Sequence, residues 1–507
     1  MSELSNSAGR SPSGVGCGAG RACLVLLPAL ALLACASCST PVRRVAPPAP
    51  VPERFSVSGQ AALPERWWTA FGDTRLNGLI DQALKNNFSL RTAWDRLSQA
   101  GAIAAKSRAD LWPSLTGDLD ASRTRSVERV EVAQPSQPGV PAVGGTDAPT
   151  ETRRSVQYTS SLSLGLLAGY EVDLWGRVRA TRDAALLDAL ATREDLHAAA
   201  ITLSAEVAGA WYRLVAQQGQ LRLLDEQTKT NEEYLEIITL KFRRGQVSAT
   251  DVLQQRQLVE SLAAERIQAE SNIRVAEHEL AVLVGRPPGG LSVTPPSRLP
   301  DVPPLPQTGV PAAWIRKRPD IRAAELRVQA ADRRVAAAVA EQFPKLSLSV
   351  RAETSSEKVR DLLDSWLASL AANLAAPLFD AGARRAEVAR TRSAVSEQLN
   401  AYGQLVLTSL QEVEDALAQE ATQAEYLDSL HRQLDLSWKA AEQTRDNYTK
   451  GTMDFTRYLT TLLDHQRLQR TYLEAQRQRV QFRVNLYRAL GGGWALSPPP
   501  QARVTGG

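Results

Sequence analysis

The residue types that most often do chemistry are few in this chain, and most of them sit where they can do little. All four cysteines (Cys17, Cys23, Cys35 and Cys38) lie near the N-terminus. That leaves the body of the chain without a disulfide framework or a cysteine-based metal site. The four histidines, His197, His278, His431 and His465, are spread along helical stretches with no metal-ligand spacing. The glycines at 491–493 follow no strand and precede Trp494 rather than a Lys-Ser/Thr pair, so they form a helix-to-coil transition and not a phosphate loop. No catalytic constellation emerges, and no enzyme activity or cofactor is expected. One covalent reaction remains. Arg10 and Arg21 precede an apolar run at residues 24–34, which ends in Leu-Leu-Ala-Cys at 32–35, the pattern of a bacterial lipobox. The expected chemistry is diacylglycerol attachment at Cys35, cleavage before it and further acylation, for example with palmitate. Cys38 is the rival site, with a cysteine where a lipobox prefers another residue. A plain secretory signal with incidental cysteines is the alternative.

The rest of the chain must position something other than a reaction centre. A net charge of +4 over 507 residues suggests no nucleic-acid surface. Aromatic content of 6% with abundant Ala, Leu, Arg, Gln and Glu is a long-helix composition. After the signal no apolar stretch is long enough to be a transmembrane helix. A chain of this kind that crosses a bilayer has to do so as a β-barrel.

Two stretches look like one unit written twice, residues 63–290 and 312–494. Gly245 and Gly451 are 206 residues apart, as are Gly285 and Gly491. Trp112-Pro113 recurs as Phe343-Pro344. A duplication of this length implies units that need neighbours. Residues 1–34 are the signal and 35–62 a tether. Residues 291–311 form a Pro-rich linker and 495–507 a tail. Each copy ends in a long Pro-free stretch, which favours uninterrupted helices. In the first, Leu203, Val207, Ala210, Leu214, Leu221, Leu224, Leu235, Ile238 and Phe242 keep a 3-4 spacing, broken only by Gln217, Thr228 and Asn231. That spacing predicts a supercoiling helix over 183–242, with a partner returning over 251–284. Gly245 can end the first helix, and Ser248 or Thr250 can cap the second.

Strand signals occupy the other end of each copy. Leu115, Gly117, Leu119 and Ala121 alternate with polar residues, as do Tyr158, Leu162, Leu164 and Leu166. In the second copy Leu346, Leu348, Val350 and Ala352 alternate similarly, and Trp366, Ala368, Leu370, Ala372 and Leu374 form a last apolar face. One apolar and one polar face over about 10 residues suits lipid outside and water inside. Four strands are too few to close a channel, so the barrel is shared between subunits, and physics alone allows a dimer or a trimer. The first hairpin carries an extra segment with Pro135, Pro138, Pro141 and Pro149, read as an exterior loop. A soluble coiled-coil scaffold is the competing class; it accounts for the helices but not the strands.

At four places the chain resembles the outer-membrane factors of tripartite efflux pumps, the TolC-like family, and in particular its lipoprotein branch. These are Gly-Tyr-Glu-Val-Asp-Leu-Trp-Gly-Arg (169–177), Arg-Pro-Asp-Ile-Arg-Ala-Ala-Glu (318–325), Ala-Pro-Leu-Phe-Asp-Ala-Gly (376–382) and Gly-Gly-Gly-Trp (491–494). Trp67-Trp68 followed by Phe71-Gly72-Asp73 also fits. The resemblance implies a mixed α and β fold with an internal two-fold repeat. It implies a homotrimer whose four strands per protomer close an outer-membrane β-barrel, continued by a periplasmic α-helical barrel. A small equatorial region would come from the tether, the linker and the tail. The implied function is a passive exit duct for drugs or other small molecules, anchored in outer-membrane lipid and coupled through a periplasmic adaptor to an inner-membrane pump. The exit duct of a type I protein secretion system is the alternative. The resemblance places adaptor contacts at the helix-hairpin tips: Arg244, Gly245, Val247, Ser248, Ala249 and Asp251, with Gly451, Thr452, Met453 and Asp454. Simple turn-forming is the plainer role for the glycines. Asp464 would face the lumen at the closed aperture, or belong to a solvated helix face. Arg457 stands where relatives carry an acidic residue nearer the tip.

Overall fold

Local capping decides where the long helices start. The Asp173 carboxylate accepts from the Val178 and Arg179 N–H groups, and Gly176 turns the chain at φ 78°. Asp380 accepts from Gly382 and Arg384, with Gly382 at φ 87°. The first long helix therefore begins at Arg177, upstream of the expected residue 183. The computed structural model describes residues 45–62, 64–133 and 150–492. The signal, Cys35, Cys38, the Pro-rich loop at 134–149 and the tail from 493 lie outside the described residues. The elements that follow all belong to the unit Ala46–Gly507.

A 3₁₀ turn, Trp67–Phe71, leads to α1 (Thr74–Asn86) and α2 (Phe88–Ala109), then to strands β1 (Ser114–Ala133) and β2 (Thr150–Val172). Helices α3 (Arg177–Arg243) and α4 (Ala249–Leu283) follow. After the proline stretch come the short α5 (Pro311–Ile315), α6 (Pro319–Ala340), β3 (Lys345–Ser356), β4 (Leu367–Ala375), α7 (Ala383–Thr449) and α8 (Phe455–Ala489). Helices α2 and α6 have 22 residues each, α3 and α7 have 67, and α4 and α8 have 35. A 67-residue helix is roughly 100 Å long. Among the described residues no helix is long and apolar enough to cross a membrane.

The main core lies where the chain enters the first copy. Trp67, Trp68, Leu76, Ile80, Trp211, Leu214 and Tyr487 are almost fully buried. Trp67 stacks on Tyr487 at 5.5 Å, and Phe71 packs on Tyr212 at 5.4 Å. Asp73 caps α1 and also accepts from Trp211 Nε1 at 2.7 Å. One short turn thus ties α3 of the first copy to α8 of the second, with each buried aromatic contributing about 1.5–3 kcal/mol.

The proline stretch has few backbone partners of its own, so side chains and the tether supply them. Gly59 N donates to Pro306 O at 3.1 Å, and Gln307 N donates to Ala61 O at 2.8 Å. A Cβ at Gly59 would overlap the Leu305 carbonyl, which keeps that position glycine. Arg483 donates through Nη1 to the carbonyls of Pro303 and Pro304 while holding both carboxylate oxygens of Glu420 through Nε and Nη2.

Helix α6 crosses onto α3 through ion pairs that recur each heptad: Arg327 with Asp195 and Arg334 with Asp188. Glu194 is buried beside Arg322, Arg193 and His197. Burial pushes its carboxyl up, but those cationic neighbours and the His197 hydrogen bond win, leaving its pKa below the ordinary carboxylate value. The stability it contributes is present above the unfolded pKa and is lost as pH falls through the lowered one.

Candidate functional site

The four strands form one antiparallel sheet in the order β1-β2-β3-β4, with β1 and β4 at its edges. Directly opposed residues share a face. Gly117, Leu166, Ala352 and Ala368 form one such row. Leu115, Ala168, Val350 and Leu370 form another, and Val172, Leu346 and Leu374 a third. The opposite face carries Asp118 and Glu353 on either side of Gly165, Asp120 beside Ser163, and Arg351 beside Thr116's partner Leu167. The alternation read from sequence thus resolves into one apolar and one mainly polar face. On β2 the apolar face runs from Leu162 to Val172, about 33 Å along the strand and about 25 Å tall once tilted. Its large side chains stay exposed, among them Leu115 at 71% and Leu370 at 77%. Trp112, Trp175, Phe343 and Phe379 cluster at the helix-proximal ends of the four strands, and Trp175 stacks on Phe343 at 4.8 Å. Aromatic residues at that level form the girdle expected at a membrane interface.

At the far end, the two helix hairpins turn at Gly245 and Gly451, with φ of 72° and 75°. A side chain at such a φ costs about 1 kcal/mol. Ser248 and Asp251 form a reciprocal capping box at the start of α4, with contacts of 3.2 and 3.0 Å. Asp454 caps α8 through Arg457 N at 2.8 Å, and Thr452 Oγ1 returns to Asn447 O. These polar tip residues therefore have structural work of their own. Val247 packs on the cluster beneath the tip and Met453 is half-buried, whereas Arg244, Ala249 and Thr250 are exposed. Tyr234, Tyr448, Phe455 and Tyr458 bind the two hairpins together just behind the tips, with ring separations of 5.2–5.9 Å. Burial among these rings, with the Tyr234 hydrogen bond, holds the Tyr458 phenol far above its ordinary pKa, so it remains a donor.

Asp464 is well exposed on α8, with Arg467 3.8 Å away, and Arg457 is exposed near the tip. The structure does not bring these two side chains together. Sequence reasoning missed the layer above them. Asn231, counted there as a break in the heptad, is fully buried, and its amide donates to Gln227 O and Gln466 Oε1. Gln255 donates to Asn231, and Gln227 donates to the Gln466 carbonyl. Three helices, α3, α4 and α8, thus share one hydrogen-bonded polar layer, in which the Gln255 Oε1 is buried without a partner. Phe242 continues the predicted stripe but is 44% exposed, because a straight helix drifts off a seven-residue repeat. Among the described residues no group of three or more His, Cys, Asp or Glu could hold a metal ion.

The profile of the outer membrane efflux protein family matches residues 79–286 and again 311–492. The chain belongs to the outer membrane efflux protein family. It is therefore an outer-membrane efflux channel component, a transport conduit of the TolC-like kind. It is 32% identical to the pyoverdine export outer membrane protein OpmQ of Pseudomonas putida, over 94% of this chain and 98% of that one. It is 33% identical to the outer membrane protein OprJ of Pseudomonas aeruginosa, over 92% and 95%. Among solved structures it resembles the outer-membrane channel OprN with a TM-score of 0.76 at 27% identity, covering 89% of this chain and 99% of that one.

Proposed function

We propose that three copies of this chain close a 12-stranded barrel in the outer membrane, continued by a periplasmic helical tunnel that vents the cargo of an inner-membrane pump. The observation that carries this is the sheet. It has two open edges, an apolar face of bilayer height and a polar face bearing Asp118, Asp120 and Glu353. The apolar face is turned to lipid and the polar face to a water-filled lumen. Acylated Cys35 adds a lipid anchor, with Cys38 the other acceptor. The tether and linker, paired at Gly59 and Pro306, form the equatorial region. The hairpin tips meet the periplasmic adaptor. Similarity to a relative named for pyoverdine export supports efflux over type I protein secretion.

The test at the tips separates folding from coupling. Ser248→Ala removes a cap and should cost about 1 kcal/mol locally while efflux continues. Thr250→Arg leaves the capping box intact and places a bulky charge on the exposed tip, so it should keep assembly but abolish efflux. Drug susceptibility in a host lacking its own outer-membrane channel, alongside oligomer yield, gives both readings. Normal resistance in Thr250→Arg would move the adaptor contact elsewhere.

Asp464 is proposed to face the lumen at the closed aperture, where three carboxylates gather cations. Asp464→Ala should raise resting conductance and lower cation preference in a planar bilayer. An unchanged trace would assign Asp464 to a solvated helix face and turn attention to Arg457.

A further inference from the structure

Beyond the apolar band, the charges of β1 and β2 sort by face. The band ends at the row that pairs Ala121 with Leu162. Outward from it, the same face pairs Arg123 with Ser160, Arg125 with Tyr158, Val127 with Val156 and Arg129 with Arg154. The opposite face carries Ser122, Thr124, Ser126 and Glu128, with Gln157 and Thr159 across from them. Every cation between residues 122 and 129 and between 154 and 161 therefore stands on the face that is apolar lower down. Water on both sides gives no reason for that sorting.

The four arginines also lack counter-charges. All four are exposed. Among the described residues, Arg123, Arg125, Arg129 and Arg154 are in no ion pair, whereas Arg351 is taken up by Glu353 and Arg360 by Asp361. The Arg123 guanidinium lies 5.3 Å over the Tyr158 ring, which holds it against the sheet face. Arg129 and Arg154 are directly opposed across the ladder, and like charges in that position repel. An anion shared between them turns the repulsion into two attractions.

Height narrows the choice of anion. Strands rise about 3.4 Å per residue and tilt about 40° in a barrel, which puts Arg123 and Arg125 about 5 and 10 Å above the last apolar row and Arg129 with Arg154 about 20 Å above it. The headgroup layer of an ordinary bilayer is only about 5–8 Å deep on each side. The lower arginines lie at headgroup depth, and the upper pair stands clear of it. A lipid that meets both has phosphate at more than one height.

We infer that this tier binds the phosphate groups of a phosphorylated glycolipid, whose acyl chains lie on the apolar band beneath. The tier is at the end of the sheet away from the long helices, which is the cell-exterior end, so the lipid belongs to the outer leaflet. This rests on the membrane reading proposed above and names the lipid chemistry that the wall selects. Guanidinium suits the task, because its planar fork donates two parallel N–H bonds to one phosphate. The acidic face with Asp118, Asp120 and Glu353 repels the same group, which keeps the headgroups outside the lumen.

The test uses the full-length protein in detergent and lipopolysaccharide truncated to its phosphorylated inner core, either intact or dephosphorylated. Lipid bound per particle is read by native mass spectrometry. The parent should retain the phosphorylated form severalfold better, and added salt should narrow the gap. Replacing all four arginines with Gln should make the two forms bind equally. Replacing them with Lys should keep the preference, as should Arg351→Gln on the opposite face. Heat-modifiable migration checks that each variant has assembled. Where the fourfold Gln variant does not, Arg123→Gln with Arg125→Gln supplies the same comparison. A preference that survives the Gln replacements overturns the tier. Displacement of bound lipid by inorganic phosphate overturns the lipid assignment in favour of a free anion. Equal uptake of both forms by the parent overturns the tier and leaves the apolar wall standing, whereas uptake of neither form removes the wall and the tier together.

Discussion

Leu166→Arg should nearly eliminate assembled protein in the outer membrane, while Ser163→Arg, three residues away on β2, should assemble close to normally. Leu166 lies mid-band on the apolar face, flanked by Gly117 and Ala352, and is 50% exposed in the protomer. An arginine near the bilayer midplane costs roughly 2–4 kcal/mol, and a trimer incurs it three times. Ser163 lies on the polar face between Asp120 and Ser355, where an introduced guanidinium finds water and a carboxylate. Heat-modifiable migration of membrane-extracted protein measures the folded fraction. A reversed outcome, with Ser163→Arg lost and Leu166→Arg assembled, would mean that the register is wrong by one residue, since a slip of one exchanges every side chain between faces; equal assembly would mean that neither face meets lipid.

Arg483→Met should destabilise each protomer by about 3–5 kcal/mol, the usual consequence of leaving one partner of a buried pair uncompensated. Arg483 is only 3% exposed in its side chain and Glu420 10%, and among the described residues no other cation pairs with that carboxylate. The loss extends beyond the pair, because the Pro303 and Pro304 carbonyls lose their donor and the linker loosens from α7 and α8. Adding Glu420→Leu should recover part of the stability by removing the stranded charge. Recovery should stay incomplete, since the proline carbonyls remain unpaired. Urea unfolding of the three variants measures this. A single variant as stable as the parent would show that water reaches the site and that the linker is held by its backbone contacts alone.

Much of this arrangement was legible because a few strong physical signals repeat. Proline-free runs mark α3, α4, α7 and α8, and glycine at the tips marks where each hairpin turns. Strand parity at Leu115, Leu164, Leu348 and Leu370 gave the two faces of the sheet, because successive side chains on a strand point to opposite faces. The same signal stops partway along the sheet. Strand β1 continues to Ala133 through Arg123, Arg125 and Glu128, where both faces are polar and no apolar alternation remains to be read. The seam between α3 and α6 was hidden because its ion pairs join residues far apart in the chain, such as Asp188 and Arg334. Asn231 looked like a flaw for a related reason: its partners, Gln255 and Gln466, come from other helices and become visible only once those helices are packed. Glycine marks the tip turns in the sequence, whereas the reciprocal capping box of Ser248 and Asp251 depends on backbone geometry that forms only once α4 begins.

The most direct test of the conduit reading is lipid and water access along β2. Single cysteines at positions 161–168, spin-labelled in protein reconstituted into bilayers, report collisions with oxygen dissolved in lipid and with a water-soluble nickel chelate. Labels at 162, 164, 166 and 168 should favour oxygen, and labels at 161, 163, 165 and 167 should favour the chelate, alternating without a break. Uniform access to the chelate on both faces would place the sheet in water and contradict a membrane-spanning barrel.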